Sequence, residues 1–213
     1  MKTKHLLFSS LLFLSLNIET SASYLDRQNK SHVSVSHLHY VFNKVKTTSS
    51  VSQKALAKTF FYYENNRYTK NLSPNYIAIA DYTKLASQKR LFIINLQTAE
   101  VTKYLVAHGV NSGARGDRVW DAGNKLGSNK TPTGFFRVGT KEGITAKKRY
   151  HYIGLDGLEW KNRNAKKREI ILHTASYVGT SGRSHGCFAI KPEDKRQVFS
   201  RMKKALLFSY VGD

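Results

Sequence analysis

The sequence predicts a mainly β fold with an N-terminal helix and a C-terminal helix. Short runs rich in β-branched and aromatic residues follow one another between residues 76 and 175, which is typical of strands joined by short connections. Apolar residues recur at helical spacing on both sides of this region. The 213 residues are enough for one domain with its own core, and we find neither an internal repeat nor a second domain.

The first 23 residues are typical of a secretory signal peptide. Lys2 and Lys4 precede an apolar stretch over residues 6–18, and small residues ending at Ser23 mark a cleavage site. A bilayer span needs about 20 mostly apolar residues, and this stretch is shorter. We therefore predict a signal peptide over residues 1–23, export to the periplasm or cell envelope, and no stable membrane span after cleavage.

The chain is strongly basic. It carries 35 lysine and arginine residues against 14 aspartate and glutamate residues, which gives a formal net charge of +21. Removing the two lysines and one glutamate of residues 1–23 changes this to 21 − 2 + 1 = +20. In an exported protein, such a charge favours the anionic polymers of the cell wall over nucleic acid. The single cysteine allows no internal disulfide, so its thiol is either reactive or buried and inert.

The N-terminal part is predicted to contain a lead segment and one helix. Residues 24–50 mix serine, histidine and lysine with few large apolar residues, and we expect this segment to be flexible and poorly ordered. A single domain is predicted over residues 51–213, and its first helix begins after the capping residue Ser52. The apolar face of that helix consists of Ala55, Leu56, Phe60 and Tyr63. The serine and proline at 73–74 are expected to end it.

A β-meander is predicted after this helix. Its strands lie within residues 75–82, 90–96 and 101–109. Residues 111–133 are rich in glycine and have no apolar period, and a loop of that length inside a compact domain is usually functional. Further strands are predicted within residues 134–140, 150–156 and 169–175. A closing helix begins with Pro192 and places Val198, Phe199, Met202 and Leu206 on one face.

The chemistry of the chain centres on Cys187 and an upstream histidine. A thiol attacks as the thiolate, so a catalytic cysteine needs a proton acceptor within reach and N–H donors for the oxyanion that forms. His173 ends a predicted strand 187 − 173 = 14 residues before Cys187, and two intervening glycines allow the chain to return. Gly186 has no Cβ, which would let the N–H groups around it face a substrate carbonyl.

Three other interpretations of the cysteine compete with this one. A lone cysteine is often buried and inert, but Arg183, Ser184 and His185 argue against an apolar site. A zinc site formed by His173, His185 and Cys187 would have suitable ligands, yet the paired spacing of zinc motifs is missing. A papain-like protease has its cysteine near the mature N-terminus and its histidine far downstream, which is the reverse order. We therefore expect neither a metal nor another cofactor.

Two motifs together indicate a family. The sequence "SHGC" at 184–187, with its upstream histidine, and "TPTGFF" at 131–136 resemble the catalytic domain of the L,D-transpeptidases, bacterial cysteine enzymes that remodel peptidoglycan. The runs "IAIADY", "LFIINLQT" and "LVAHG" are also similar to a divergent branch of that family, and the resemblance covers residues 76–192. It implies an L,D-transpeptidase-like β-sandwich or barrel.

The resemblance also implies an activity and a site. Cys187 would attack the L-to-D amide bond at the third position of a tetrapeptide stem and release the terminal D-alanine. The acyl-enzyme would pass to an amine, which forms a cross-link or exchanges the terminal D-amino acid, or to water, which leaves a tripeptide. His173 would be the base, the carbonyl of Thr174 would orient its ring, and His185 and Gly186 would shape the oxyanion pocket.

Three further residues are candidates for substrate binding. Arg183 would hold a stem carboxylate by a bidentate contact, with a solvated surface arginine as the alternative. Ser184 lies within the motif, and His108 is a second histidine whose alternative is a structural role at a strand end. The chain departs from common family members at Ala189, where they have arginine or asparagine, and in its shorter spacer after the histidine. Acceptor and substrate preference therefore stay open.

Several functions share these residues. An L,D-carboxypeptidase, which uses water as the acceptor, and a hydrolase of the peptidoglycan–protein linkage would need the same cysteine and histidine. A sortase-like transpeptidase is disfavoured because the motif T-L-x-T-C is absent. An alternative from another class is a non-catalytic, cationic module that binds the cell wall through its charge. In each case we expect a monomer whose partner is peptidoglycan.

Overall fold

In the described part of the chain, two helices that begin after serine caps precede the sheet. The computed structural model describes residues 32–179 and 183–212, so the predicted signal peptide lies outside the described residues. Helix α1 spans Val35–Thr48, and the side chain of Ser34 accepts a hydrogen bond from the His37 N–H at its start. Helix α2 spans Gln53–Asn66. None of the described helices is long and apolar enough to cross a membrane.

Helix α1 differs from the prediction of a poorly ordered segment over residues 24–50, of which residues 24–31 lie outside the described residues. Leu38, Val41 and Val45 recur at helical spacing and are all buried, and α1 packs against α2. The many serine, histidine and lysine residues around them lie mostly on the exposed side, so overall composition concealed a narrow apolar stripe. The ordered part of the chain therefore includes residues 35–48, ahead of the domain start predicted at residue 51.

Helix α2 follows the prediction at its start but not at its end. The Ser52 side chain caps it by accepting from the Ala55 N–H, and the predicted apolar face is buried. The helix ends at Asn66, well before the serine and proline at 73–74. A turn terminates it, in which the Leu72 N–H donates to the Arg67 carbonyl while Asn71 adopts a left-handed φ of 48°.

Ten strands form the body of the part of the chain that the structure describes, which confirms the mainly β prediction. They are β1 (Tyr76–Asp81), β2 (Leu91–Asn95), β3 (Val101–Tyr104), β4 (His108–Gly109), β5 (Gly134–Ile144), β6 (His151–Gly157), β7 (Ile171–Thr174), β8 (Arg183–Ser184), β9 (Phe188–Ile190) and β10 (Leu206–Tyr210). Eight of them form one sheet in the order β3-β2-β1-β10-β5-β6-β7-β9, and β4 pairs with β8 in parallel. The predicted meander is confirmed, since β1, β2 and β3 pair antiparallel.

The C-terminal region contains a strand that the sequence did not indicate. A 3-10 turn at Pro192–Asp194 leads into helix α3 (Lys195–Met202), which buries Val198, Phe199 and Met202 as predicted. Leu206, however, is not on that helix. Lys204 adopts a left-handed φ of 61°, and the fully buried strand β10 then pairs parallel with β1 and antiparallel with β5.

The two edges of the large sheet approach each other beside the candidate site. After β3, the Ala107 N–H donates to the Ala189 carbonyl of β9, at 2.9 Å. Strands β7 and β9 are parallel neighbours, which places the end of β7 next to the chain that enters β9. The core behind them is formed by side chains such as Phe136, Ile153, Leu172 and Phe188, all fully buried.

Candidate active site

Cys187 and His173 are brought together by the pairing of β7 with β9. In this register Leu172 lies opposite Phe188, and His173 lies opposite Ala189. Cys187 is the residue immediately before β9. Both side chains line one cavity of about 320 Å³. The sheet therefore places the predicted nucleophile and the predicted base at the same cavity.

The ring of His173 is held in one orientation. Its Nδ1 lies 3.0 Å from the carbonyl oxygen of Thr174, the contact that the family resemblance implied. A carbonyl only accepts hydrogen bonds, so Nδ1 carries the hydrogen and Nε2 is left as an acceptor. Tyr150 stacks on the ring, with centroids 5.0 Å apart and an interplanar angle of 16°. Tyr150 was not identified from the sequence, because its stacking on His173 depends on how the chain that enters β6 lies beside β7.

Burial keeps the imidazole of His173 neutral. Loss of solvent lowers the pKa of His173 from its ordinary value, and the hydrogen bond with Thr174 opposes this only in part. The imidazole is therefore uncharged near neutral pH. A neutral imidazole with Nδ1–H bonded to a carbonyl is suited to take a proton at Nε2.

Cys187 rests in the thiol form. Burial raises its pKa, while the backbone N–H of Ile171 and the charge of Arg168 act in the opposite direction. The Sγ donates to the Glu169 carbonyl, at 3.5 Å. Because burial is the largest of these effects, the thiol is protonated near neutral pH. Attack therefore requires a base that removes the proton during the reaction.

The turn before Cys187 is fastened by Ser184. Its hydroxyl donates to the Cys187 carbonyl at 2.6 Å and accepts from the Gly186 N–H at 3.1 Å. Gly186 has a φ of 110°, and a Cβ there would lie 2.6 Å from the Lys130 carbonyl oxygen. Glycine is thus required by the turn. Its N–H, however, is already bonded, which removes it from the oxyanion donors expected around this position.

Arg168 connects the glycine-rich loop to the cysteine. Its guanidinium donates to the carbonyls of Gly123 and Lys130, at 2.7 and 2.6 Å, and so fastens residues 111–133 beneath the turn. The same charge partly opposes the rise that burial causes in the pKa of Cys187. Sequence reasoning did not single out Arg168, because it stands in the basic run "KKRE" and nothing in that run distinguishes it from solvated neighbours.

His108 does not reach the cavity, contrary to its predicted contact with substrate. Its side chain is fully buried, and Nδ1 lies 2.8 Å from Nη2 of Arg90. Because arginine only donates, Nδ1 accepts and the hydrogen is on Nε2, which faces the backbone near Gly113. Burial and the adjacent Arg90 charge lower the pKa of His108 to about 4. This is the structural alternative considered for it.

The remaining predicted residues surround the cysteine. Arg183 is half-buried, pairs through its backbone strand with β4, and lines the cavity of about 320 Å³. His185 is exposed and lines the same cavity. Ser184 also lines it, but its hydroxyl is engaged within the turn. Of the predicted substrate-binding residues, Arg183 is therefore the one whose side chain remains suited to that role.

A second, larger cavity of about 550 Å³ meets the first at Cys187. Five residues line both: Lys148, Tyr150, Ile171, His185 and Cys187. The larger cavity is basic, and Glu169 is the one acidic residue among its described lining residues. Within residues 32–179 and 183–212, no group of three or more His, Cys, Asp or Glu side chains is placed to hold a metal ion. The set His173, His185 and Cys187, which was considered as a zinc site, is therefore not such a group.

Comparison with known proteins gives a family match and several similar folds. The family described as the L,D-transpeptidase catalytic domain matches residues 47–210. Similar solved structures include an L,D-transpeptidase from Mycobacterium smegmatis, with 16% identity, a TM-score of 0.36, and coverage of 63% of this chain and 58% of that one. L,D-transpeptidase 1 from Mycobacterium tuberculosis has 14% identity and a TM-score of 0.38, with 63% and 60% covered.

A third similar structure is a helical cell shape determining protein from Campylobacter jejuni, with 15% identity, a TM-score of 0.42, and coverage of 65% of this chain and 49% of that one. The chain thus spans about half to three fifths of the length of these solved chains. No curated protein matches it.

Proposed function

Since the chain belongs to the family of L,D-transpeptidase catalytic domains, we propose that it is a cysteine enzyme that acts on peptidoglycan stem peptides through a thioester. One observation carries the proposal: Cys187 and His173 line one cavity, and Thr174 fixes the His173 ring so that Nε2 is the acceptor. A neutral thiol that lines the same cavity as a neutral, oriented imidazole is suited to base-assisted attack by sulfur.

The reaction divides into two transfers at the same residues. His173 Nε2 takes the thiol proton as Cys187 Sγ attacks the scissile carbonyl carbon, and the carbon–nitrogen bond of the amide then breaks. The departing amine takes the proton from the imidazolium, which leaves a thioester. An amine or water attacks the thioester next, and its proton returns through His173 to the sulfur. No net proton is gained or lost in the cycle.

This proton path sets the direction in which a stem binds. The leaving amine must lie within reach of His173, which lines the smaller cavity and not the larger one. The terminal D-alanine therefore occupies the smaller cavity, where Arg183 is placed to hold its carboxylate. The rest of the stem occupies the larger cavity beyond Cys187. After D-alanine leaves, the same small cavity receives the acceptor.

The turn at residues 184–187 supplies the frame for the oxyanion. Because the Gly186 N–H is bonded to Ser184, we assign the oxyanion contact to the Cys187 N–H and the exposed His185 side chain. Gly186 contributes by its φ of 110° and its lack of a side chain. We therefore assign His185 to stabilisation of the transition state and not to deprotonation of the Cys187 thiol.

Muropeptide analysis tests this function. Purified cell wall and a soluble tetrapeptide stem are incubated with the native protein and with Cys187→Ala, and the products are identified by mass spectrometry. The native protein should release D-alanine and, with an added amine acceptor, form exchanged or cross-linked products. Cys187→Ala should bind the wall as the native protein does and yield no products, because no sulfur is left to form the thioester.

The products also separate the remaining alternatives. A tripeptide formed even with excess amine identifies an L,D-carboxypeptidase, and release of a wall-bound protein without stem trimming identifies a linkage hydrolase. Wall binding without any product, from the native protein as from Cys187→Ala, would instead establish the cationic wall-binding module. We also propose that the protein works in the cell envelope, on the basis of the signal-peptide pattern at residues 1–23. Its action as a monomer stays a separate prediction.

A further inference from the structure

The larger cavity beside Cys187 has a strongly basic lining. Lys147 and Lys148 lie in the connection between β5 and β6, and Lys167 precedes β7 together with Arg168. All three lysine side chains are exposed. Glu169 offsets one of these four charges. Two separate segments of chain therefore place three exposed ammonium groups around the same cavity.

Among the described residues, these lysines have no carboxylate partner, a property that they share with Lys46, Lys70 and Lys103 but not with the lysines of the protein's ion pairs; what sets them apart is their place around the cavity. Ion pairs elsewhere include Lys84 with Asp81, Lys130 with Asp121, Lys161 with Glu159, Lys191 with Glu193, and Lys195 and Lys203 with Glu142. In the described part of the chain, no carboxylate lies within ion-pair distance of Lys147, Lys148 or Lys167. Their charges thus remain uncompensated at the mouth of the cavity.

We propose that Lys147, Lys148 and Lys167 bind the free carboxylates of the acyl part of a stem peptide, and that the protein therefore selects stems with free carboxylates over amidated ones. The inference rests on the proposed function, which places the acyl part in this cavity. A stem carries a carboxylate on its γ-linked D-glutamate and another on a diaminopimelate at the third position. Amidation of both side carboxylates removes these two negative charges, keeps the terminal D-alanine carboxylate, and leaves the shape of the stem almost unchanged.

The size of the preference follows from the exposure of the lysines. Exposed ion pairs are worth only a fraction of a kcal/mol to about 1 kcal/mol each, because water screens them. Each lysine alone should therefore change affinity by about twofold to fivefold, and the three together by about tenfold or more. Rising salt should reduce the preference, since such charges are screened beyond about 8 Å at physiological ionic strength.

Calorimetric titration on a Cys187→Ala background tests the proposal without turnover. The two ligands are the tetrapeptide L-Ala-γ-D-Glu-diaminopimelate-D-Ala and its analogue with both side carboxylates amidated. The free-carboxylate stem should bind about tenfold more tightly. Combining Lys147→Gln, Lys148→Gln and Lys167→Gln should remove this preference by weakening the free stem more than the amidated stem, whose terminal carboxylate Lys148 can reach from the smaller cavity.

A matched variant controls for the overall charge of the protein. Lys46, Lys70 and Lys103 are exposed and line none of the described cavities near the cysteine, so their combined replacement by Gln removes the same net charge elsewhere. It should keep the preference. Three results would each overturn the proposal. They are equal binding of both stems by the Cys187→Ala protein with all its lysines, equal weakening of both stems by the cavity variant, and loss of the preference in the control variant. Because the readout is binding, the two proposals can fail separately. A preference for the free stem in the Cys187→Ala background, together with no turnover by the native protein, would contradict the proposed enzyme and support the lysine site.

Discussion

The surroundings of His108 and His173 show how two similar histidines become different chemical groups. Each lies in a short strand, each is buried, and burial lowers the pKa of each. At His108, Nδ1 accepts from the Arg90 guanidinium and no part of the ring is exposed. At His173, Nδ1 donates to the Thr174 carbonyl and the ring lines the cavity that contains Cys187.

The difference lies in the partner of Nδ1 and in access, and not in burial. A guanidinium beside the ring opposes protonation, so His108 cannot gain a proton without placing two buried charges side by side. A carbonyl favours protonation, so His173 can accept a proton and release it again within one reaction. A buried histidine with a lowered pKa is therefore a candidate base only when two conditions hold. The partner of its Nδ1 must favour protonation, and its ring must line a cavity.

Replacing each histidine should give the largest separation between the two regions. His173→Ala should lower the formation of acyl-enzyme with a tetrapeptide stem by about 10²–10⁴-fold, because proton transfer by a positioned side chain contributes that much. It should also slow alkylation of Cys187 by iodoacetamide at pH 7. His108→Ala should leave the alkylation rate near that of the native protein. The comparison would fail if His108→Ala or His185→Ala lost the reactivity while His173→Ala kept it.

Protonation of His108 in acid should lower the free energy of unfolding of the protein by roughly 3 kcal/mol. The pKa of His108 is about 4 in the folded protein and about 6.5 when unfolded, so between these values the unfolded chain binds a proton that the folded chain does not. The stability that the neutral ring contributes is fully present above pH 6.5 and is lost as the pH falls toward 4. Because the pKa of His173 is also lowered, the loss due to His108 is the difference between the native protein and His108→Gln. Urea unfolding at pH 7 and pH 4 should show an acid loss of stability that is smaller by roughly 3 kcal/mol in the variant.

The pH dependence of Cys187 alkylation sharpens the view of His173 as a neutral base. A free cysteine with a pKa near 8.5 increases its thiolate fraction about tenfold between pH 7.5 and 9.5. Burial raises the pKa of Cys187, so its alkylation rate should increase more than tenfold over that range. A rate that is already high and constant between pH 6 and 8 would reveal a preformed thiolate–imidazolium pair. The His173→Ala variant, measured over the same series, separates the two residues.

The smallest effect is expected at the turn. Ser184→Ala removes two hydrogen bonds, to the Cys187 carbonyl and from the Gly186 N–H, and should cost about 1–2 kcal/mol of stability. Ser184→Thr keeps the hydroxyl and serves as the matched control. If the oxyanion assignment holds, Ser184→Ala should not raise acyl-enzyme formation. A faster reaction would show that the released Gly186 N–H is the better oxyanion donor.

Local sequence patterns predicted most of the strands and the pair that carries the proposed chemistry. Alternating and β-branched runs identify β1, β2, β3, β5, β6 and β7, and the short distance along the chain between His173 and Cys187 indicated their proximity. The Thr174 contact was implied by the family resemblance, and the structure contains it. These features depend on residues that are close in sequence.

The features that the sequence did not reveal depend on distant partners. Strand β10 follows α3 closely and continues its apolar spacing through Leu206, so nothing local separates a strand from one more helical turn. Arg168 acts through carbonyls 45 and 38 residues away, and Arg90 acts on a histidine 18 residues away. Serine-rich composition hid the stripe of α1. In each case the tertiary partner, and not the local pattern, decides the role.

The position of β10 also determines when the sheet can be completed during folding. In the sheet order, β3-β2-β1 lie on one side of β10 and β5-β6-β7-β9 lie on the other. Until residues 206–210 pair with both neighbours, β1 and β5 each present unpaired backbone groups on the sides that β10 covers. A chain that lacks residues 206–210 should therefore expose two strand edges that can pair with other chains.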